Sequence, residues 1–189
     1  MRTDPAIGGN VLVIVYSRTG TGWRLAQLLG ALHDWPVATI RDARPHERDG
    51  GAWRRLLDTW LLRRPAIVYD GPEPQGYDAV VLVSPTRLAR LAAPMRSFIA
   101  SRRGQLREVA FLSVCGACSP APAAAEVTRL LGRTPLVSVA LRHAEVEDGR
   151  FAEPLQAFGR AVARAAEALQ GPLRKGRAAL ARAPATRAA

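Results

Sequence analysis

Five apolar runs of the kind that form buried strands alternate along this chain with segments of helical periodicity. The runs are VLVIVY, PVATI, YDAVVLVSP, EVAFLSV and PLVSVALR, at residues 11–16, 36–40, 77–85, 108–114 and 135–142. Strands buried on both faces of a parallel sheet are continuously aliphatic, and strands that alternate with helices form βαβ units with right-handed crossovers. The sequence therefore predicts an α/β protein with a mostly parallel sheet.

Apolar residues three and four positions apart predict the helices between these strands. They fall at about 20–33, 52–64, 90–102, 121–132 and 151–169. The helix at 52–64 has the clearest apolar stripe, which includes Trp53 and Trp60 and has arginines on both sides. Such a helix usually packs on the sheet, but its basic flanks would also suit peripheral contact with an anionic lipid surface.

Length and composition favour a single globular domain. The chain has 189 residues, 48% of them apolar and 23% charged, which is typical of one domain with a sizeable core. No apolar run approaches the roughly 20 residues that span a bilayer, and the N-terminal stretch has no apolar signal region. We therefore expect a cytoplasmic protein without a transmembrane segment.

The chain is strongly basic, with a net charge of +11. Residues 171–189 contribute five basic residues and no acid, which leaves +6 on residues 1–170. We predict a domain over 1–170 followed by a basic tail, which is either a frayed helix or disordered. The charge alone would suit nucleic acid, but the stacking and groove-reading motifs are missing, so no specific nucleic-acid binding is expected.

The loop after the first strand suits an anion. Its residues are Ser17, Arg18, Thr19, Gly20, Thr21 and Gly22, directly before a predicted helix. A helix N-terminus offers unpaired N–H groups and the positive end of the dipole, and the glycines let the backbone approach closely. The sequence has neither G-x-G-x-x-G nor the P-loop pattern. The alternative is an ordinary turn with a capping Ser or Thr.

The loops after the third and fourth strands, SPTRLARLAAPMRSF and SVCGACSPAPA, belong to the same edge of the predicted sheet. Ligands of open parallel sheets bind at this edge, where the strand order reverses. Together with SRTGTG, these loops resemble those of the flavodoxin family, and the resemblance covers about residues 10–169. It implies a three-layer, doubly wound sheet of five parallel strands in the order 2-1-3-4-5, with noncovalently bound FMN.

The resemblance also implies which residues contact FMN. Residues 17–22 match the phosphate loop, except that Gly22 stands where the family usually has threonine. Pro85, Thr86, Arg87 and Leu88 fall in the second loop, and Cys115, Gly116 and Ala117 fall in the third, where Cys115 stands for a serine and Ala117 for a glycine. Arg87 replaces the usual aromatic residue. Its guanidinium could stack on a flat ring or could simply face solvent.

The resemblance implies a function in electron transfer or flavin-dependent reduction, which would make any enzyme of this kind an FMN-dependent oxidoreductase. The alternative is a module that has lost FMN and acts through its basic surface. A redox partner with an acidic docking surface is expected from the net charge of +11.

The remaining chemistry-bearing residues give weaker signals. Cys115 and Cys118 form a C-x-x-C pair, which is either a redox dithiol or two small residues. The three histidines, His33, His46 and His143, lack triad or metal spacing. We therefore predict no metal site and give the histidines no role.

Overall fold

The strands of the structure position the site. The structure, a computed structural model, describes residues 10–43, 65–87, 90–116 and 121–181, with the backbone alone for 170–181. Its strands are β1 (Val11–Tyr16), β2 (Val37–Asp42), β3 (Ile67–Asp70), β4 (Ala79–Arg87), β5 (Arg90–Leu91), β6 (Glu108–Cys115) and β7 (Ser138–Arg142).

The sheet is mixed and has seven strands among the described residues, so the prediction of five strands, all parallel, is wrong. The order is β3-β2-β1-β4-β6-β7, and β5 pairs with β4 alone. Strands β2, β1, β4, β6 and β7 are parallel, whereas β3 and β5 are antiparallel to their neighbours. The five parallel strands, counted among themselves, follow 2-1-3-4-5. The sequence did not predict β3 and β5 because strands of four and two residues are too short to show a period.

The helices are α1 (Thr21–His33), α2 (Ala93–Arg102), α3 (Ala121–Leu131), α4 (His143–Glu147) and α5 (Ala152–Ala181). The helix predicted at 90–102 begins three residues late, because residues 90–91 pair with β4 instead. Helix α4 was not predicted, and the helix predicted at 52–64 lies outside the described residues. Helix α5 extends past residue 170, and the domain boundary placed there stays a prediction.

Helices cover both faces of the sheet, as the doubly wound prediction requires. Side chains of α1 and α5 pack with Val11, Val13 and Val15 of β1 in one core. Side chains of α2 and α3 pack with Leu12 and Ile14 of the same strand in the other core. Successive residues of a strand point to opposite faces, so β1 contributes to both. No helix in the described part of the chain has an apolar stretch that could cross a bilayer.

Candidate functional site

A cleft opens at the carboxyl end of the parallel strands, with a volume of about 890 Å³ that includes the open solvent at its mouth. It lies beside β1 and β4, where the strand order reverses and where open parallel sheets bind their ligands. Its lining residues come from the ends of four strands, the loop after β1 and the start of α1, the segment before β3, and the start of α2 with the residue before it. They are Tyr16, Ser17, Arg18, Thr19, Thr21, Gly22, Asp42, Pro65, Pro85, Arg87, Ala92, Ala93, Pro94 and Val114.

The N-terminus of α1 forms one end of the cleft. Its N-cap, Gly20, has φ +86° and ψ −20°, a left-handed conformation that favours glycine. No side chain caps the first turn, and no acidic residue lies in it. The alternative of a capping Ser or Thr is therefore wrong. The first N–H groups of α1 and the positive end of its dipole are directed at the cleft, where they would stabilise an anion.

Two threonine hydroxyls lie beside this helix end. Thr19 Oγ1 is 3.3 Å from Thr21 Oγ1, and Thr21 Oγ1 is 3.4 Å from Nδ1 of His143. Nε2 of His143 lies 3.2 Å from a carboxylate oxygen of Glu147. From the sequence, His143 had no assigned role because its spacing from other residues matches no catalytic triad or metal site. Its position directly after β7, at the carboxyl end of a parallel strand, is the signal that could have identified it.

Seven of the thirteen predicted site residues line the cleft: Ser17, Arg18, Thr19, Thr21, Gly22, Pro85 and Arg87. Four others, Gly20, Thr86, Cys115 and Gly116, do not line it. Alternation along the strands explains two of these, since Pro85, Arg87 and Val114 face the cleft while Thr86 and Cys115 are buried on the opposite side. The remaining two, Leu88 and Ala117, lie outside the described residues, as does Cys118 of the C-x-x-C pair.

Tyr16 and Asp42 are cleft residues that the sequence analysis missed. They end the neighbouring strands β1 and β2, and the hydroxyl of Tyr16 donates to Oδ2 of Asp42 over 3.2 Å. The predicted site included the ends of the first, third and fourth strands but not the end of the second. Ligands of open parallel sheets bind at the carboxyl ends of the strands, and this rule applied to the second strand would have identified Asp42.

The cleft is mostly apolar but carries charge at its rim. Pro85, Ala92, Ala93, Pro94 and Val114 form apolar walls. Arg18 and Arg87 are exposed, and neither forms an ion pair with another residue that the structure describes. Within the described ranges, no cluster of His, Cys, Asp and Glu could hold a metal ion. The arrangement suits an anionic ligand that also has an apolar part.

A buried ion pair supports the wall that leads into α2. Arg96 and Glu126 have side chains 2% and 7% exposed, with Nη1 of Arg96 3.5 Å from Oε1 of Glu126. The Arg96 guanidinium donates to the carbonyl of Leu91 over 2.8 Å, and the N–H of Leu91 donates to Glu126 over 2.9 Å. Burial lowers the pKa of Arg96, and the carboxylate of Glu126 opposes that shift. The pair thus fixes both backbone groups of Leu91, directly before Ala92 and Ala93.

Comparison with known proteins gives structural relatives. No family model matches the chain, and no curated protein matches it. A flavoprotein from Lactobacillus acidophilus, solved in complex with FMN, is 17% identical with a TM-score of 0.61, over 74% of this chain and 97% of that one. A flavodoxin from the domain Archaea is 17% identical with a TM-score of 0.50, over 85% and 98% of the two chains.

The similar structures also include an enzyme. The flavoenzyme NAD(P)H:(acceptor) oxidoreductase from Paracoccus denitrificans is 21% identical with a TM-score of 0.51, over 84% of this chain and 97% of that one. These likenesses agree with the observed strand order and with the cleft at its reversal point. The chain therefore has the flavodoxin-like fold.

Proposed function

We propose that this chain binds FMN in the cleft and uses it for electron transfer or flavin-dependent reduction. The observation that carries the proposal is the uncapped N-terminus of α1, which opens with two threonine hydroxyls into the cleft. In this proposal, residues 17–22 hold the phosphate. The ring lies between Pro85–Arg87 on one side and the end of β6 on the other. An FMN complex in a protein of the same fold supports this choice of ligand.

The residues that differ from the flavodoxin pattern still fit FMN. Gly22 lacks the usual threonine hydroxyl, but its N–H remains in the first turn of α1. Thr19 and Thr21 retain two hydroxyl donors beside it. Arg87 lies in the cleft wall, where a guanidinium can stack on a flat ring in place of an aromatic side chain. These substitutions therefore reduce the number of hydroxyls without removing the anion site.

When bound, FMN would supply the transfer of electrons or hydride. The chain's own residues would position it and set its surroundings. The apolar walls of Ala92, Pro94 and Val114 exclude water from the ring. Arg87 favours negative charge beside it, with an attraction that is weakened by salt because the side chain is exposed.

The test is a titration of the purified protein with FMN and with riboflavin, which lacks the phosphate. We expect a bound-flavin spectrum and a clear preference for FMN. Replacing Thr19 and Thr21 together by alanine should cost about 1.5–3 kcal/mol for each charge-assisted hydrogen bond lost. Thr128→Ala is the matched control, because that hydroxyl bonds to the carbonyl of Ala124 on α3. Equal affinity for the two flavins would show that the loop is not a phosphate site.

A redox partner with an acidic docking surface is part of the same proposal. Arg18 and Arg87 at the cleft, with Arg90 opposite Arg87 in the β4–β5 pair, present exposed positive charge. Rim charges act mainly on association rate and are screened over about 8–10 Å at physiological salt. Reduction of the bound flavin by the partner should therefore slow as salt rises. A colourless protein that binds no FMN would instead support the alternative of a basic interaction module.

A further inference from the structure

A chain of four polar side chains connects α4 to the proposed phosphate loop. It runs from Glu147 through His143 and Thr21 to Thr19, with successive separations of 3.2, 3.4 and 3.3 Å. His143 and Thr21 are 122 residues apart in sequence, so the fold alone brings them together. The imidazole has a polar neighbour at each ring nitrogen, and its state therefore affects Thr21.

The donors and acceptors of these four side chains determine to which group the Thr21 hydroxyl can donate its hydrogen bond. A carboxylate only accepts hydrogen bonds, so Glu147 draws the ring proton to Nε2 of His143. The neutral ring has one N–H, which leaves Nδ1 as an acceptor. Thr21 must then donate its single hydroxyl proton to Nδ1 and cannot donate it to a ligand. When the ring is protonated, Nδ1–H donates to Thr21 Oγ1, and the hydroxyl proton is released to point elsewhere.

We propose that His143 is a positioning residue for the phosphate group, which gains a hydrogen bond from Thr21 when the imidazole is protonated. This inference rests on the proposed binding of FMN. The protonated ring also adds a positive charge one side chain away from the phosphate. Protonation of His143 therefore tightens the binding of a phosphate-bearing flavin and leaves riboflavin unaffected.

The other charged groups near His143 do not substitute for it. Glu147 is its ion-pair partner on α4, and Glu145 on the same helix accepts from the N–H of Arg142 at the end of β7. On α1, Arg24 lies over the ring of Phe151, 5.8 Å from its centre. Arg18 lies in the loop itself. Of these residue types, histidine is the one whose ordinary charge change falls between about pH 5 and 8.

The test compares FMN dissociation constants of the wild type and His143→Gln at pH 5.5 and 8.5. Gln is uncharged at both pH values, and its amide oxygen can accept from Thr21 as the neutral ring does. We therefore expect the ratio of variant to wild-type Kd to rise from about 1 at pH 8.5 to about 10 at pH 5.5, the effect of one charge-assisted hydrogen bond. The phosphate of FMN also titrates near pH 6, so variant and wild type are compared at the same pH.

Two controls assign the effect to Thr21. In a Thr21→Ala background, His143→Gln should have no effect at pH 8.5 and only the smaller effect of the lost ring charge at pH 5.5, whereas Thr21→Ser keeps the hydroxyl and should keep the full pH effect. Nitrogen chemical shifts of the wild-type imidazole at pH 8.5 should show the proton on Nε2. This last measurement needs no variant. The His143 side chain is 45% exposed, and thermal unfolding of His143→Gln checks that it folds.

The outcomes separate this inference from the proposed function. A preference for FMN over riboflavin with a Kd ratio that does not change with pH would overturn the role of His143 alone. A neutral imidazole protonated on Nδ1 would do the same. Equal wild-type affinity for FMN and riboflavin at both pH values would overturn the phosphate site itself.

Discussion

Removing Glu126 should destabilise the protein far more than removing Glu126 and Arg96 together. The two side chains are buried against each other and hold the carbonyl and N–H of Leu91. Glu126→Ala leaves the guanidinium of Arg96 buried without the carboxylate of Glu126 beside it. Breaking a buried pair in this way costs about 3–5 kcal/mol of unfolding free energy.

The double variant Arg96→Met with Glu126→Leu removes both charges and takes these partners from the two backbone groups of Leu91. Their loss costs about 1–3 kcal/mol each, and the removal of two buried charges offsets about 1–4 kcal/mol. The midpoints of these ranges give a net loss of about 1–2 kcal/mol, less than for Glu126→Ala alone.

Urea unfolding of the protein without flavin measures these free energies, and a titration with FMN measures the effect on the cleft wall. Asp70→Asn is the control, because its ion pair with Arg41 is about two-thirds exposed on both sides and should contribute at most about 1 kcal/mol. A double variant that is at least as destabilised as Glu126→Ala would refute the reasoning.

Three further predictions concern glycines and histidine. A Cβ on Gly159 would lie 2.2 Å from Nε2 of His33, so Gly159→Ala should lower the melting temperature in the wild type. In a His33→Ala background the same change should stabilise the helix by about 1 kcal/mol. Burial and the nearby charge of Arg160 lower the pKa of His33 in the folded state. Below about pH 6.5 the unfolded state therefore binds more protons than the folded state, and the free energy of unfolding should decrease as the pH decreases. Urea unfolding of His33→Gln should show a smaller decrease. At Gly20, with φ +86° and open space around its Cα, Gly20→Ala should cost about 1–2 kcal/mol and Gly20→Asn less, as thermal unfolding would show.

The fold was predictable where a segment's own residues determine its structure. The first strand was predicted with the bounds that β1 has, because a continuous aliphatic run reports burial on both faces. The helix predicted at 121–132 ends one residue earlier in the structure, where Gly132 adopts φ +77° directly after α3. The short strands β3 and β5 depend on pairing with β2 and β4. Such pairing is decided by the tertiary structure and leaves no local pattern.

The site was predictable to the extent that strand ends mark it. The rule that ligands bind at the carboxyl ends of parallel strands identified the loop after β1 and the end of β4. The alternation of side chains along a strand would also have shown that Arg87 and Thr86 face opposite sides of the sheet. The contacts across the site were not predictable. Glu126 interrupts the apolar stripe of α3, which signals a buried partner, but nothing in the sequence identifies Arg96 as that partner. The contact between Thr21 and His143 likewise needs the folded chain.

A crystal structure of the protein soaked with FMN tests the central claim most directly. The account predicts the phosphate at the N-terminus of α1, within hydrogen-bond distance of backbone N–H groups of residues 18–22. It also predicts the ring against Pro85 and Arg87 in the cleft. A cleft without flavin at saturating FMN, or a flavin bound with its phosphate away from this loop, would contradict the account.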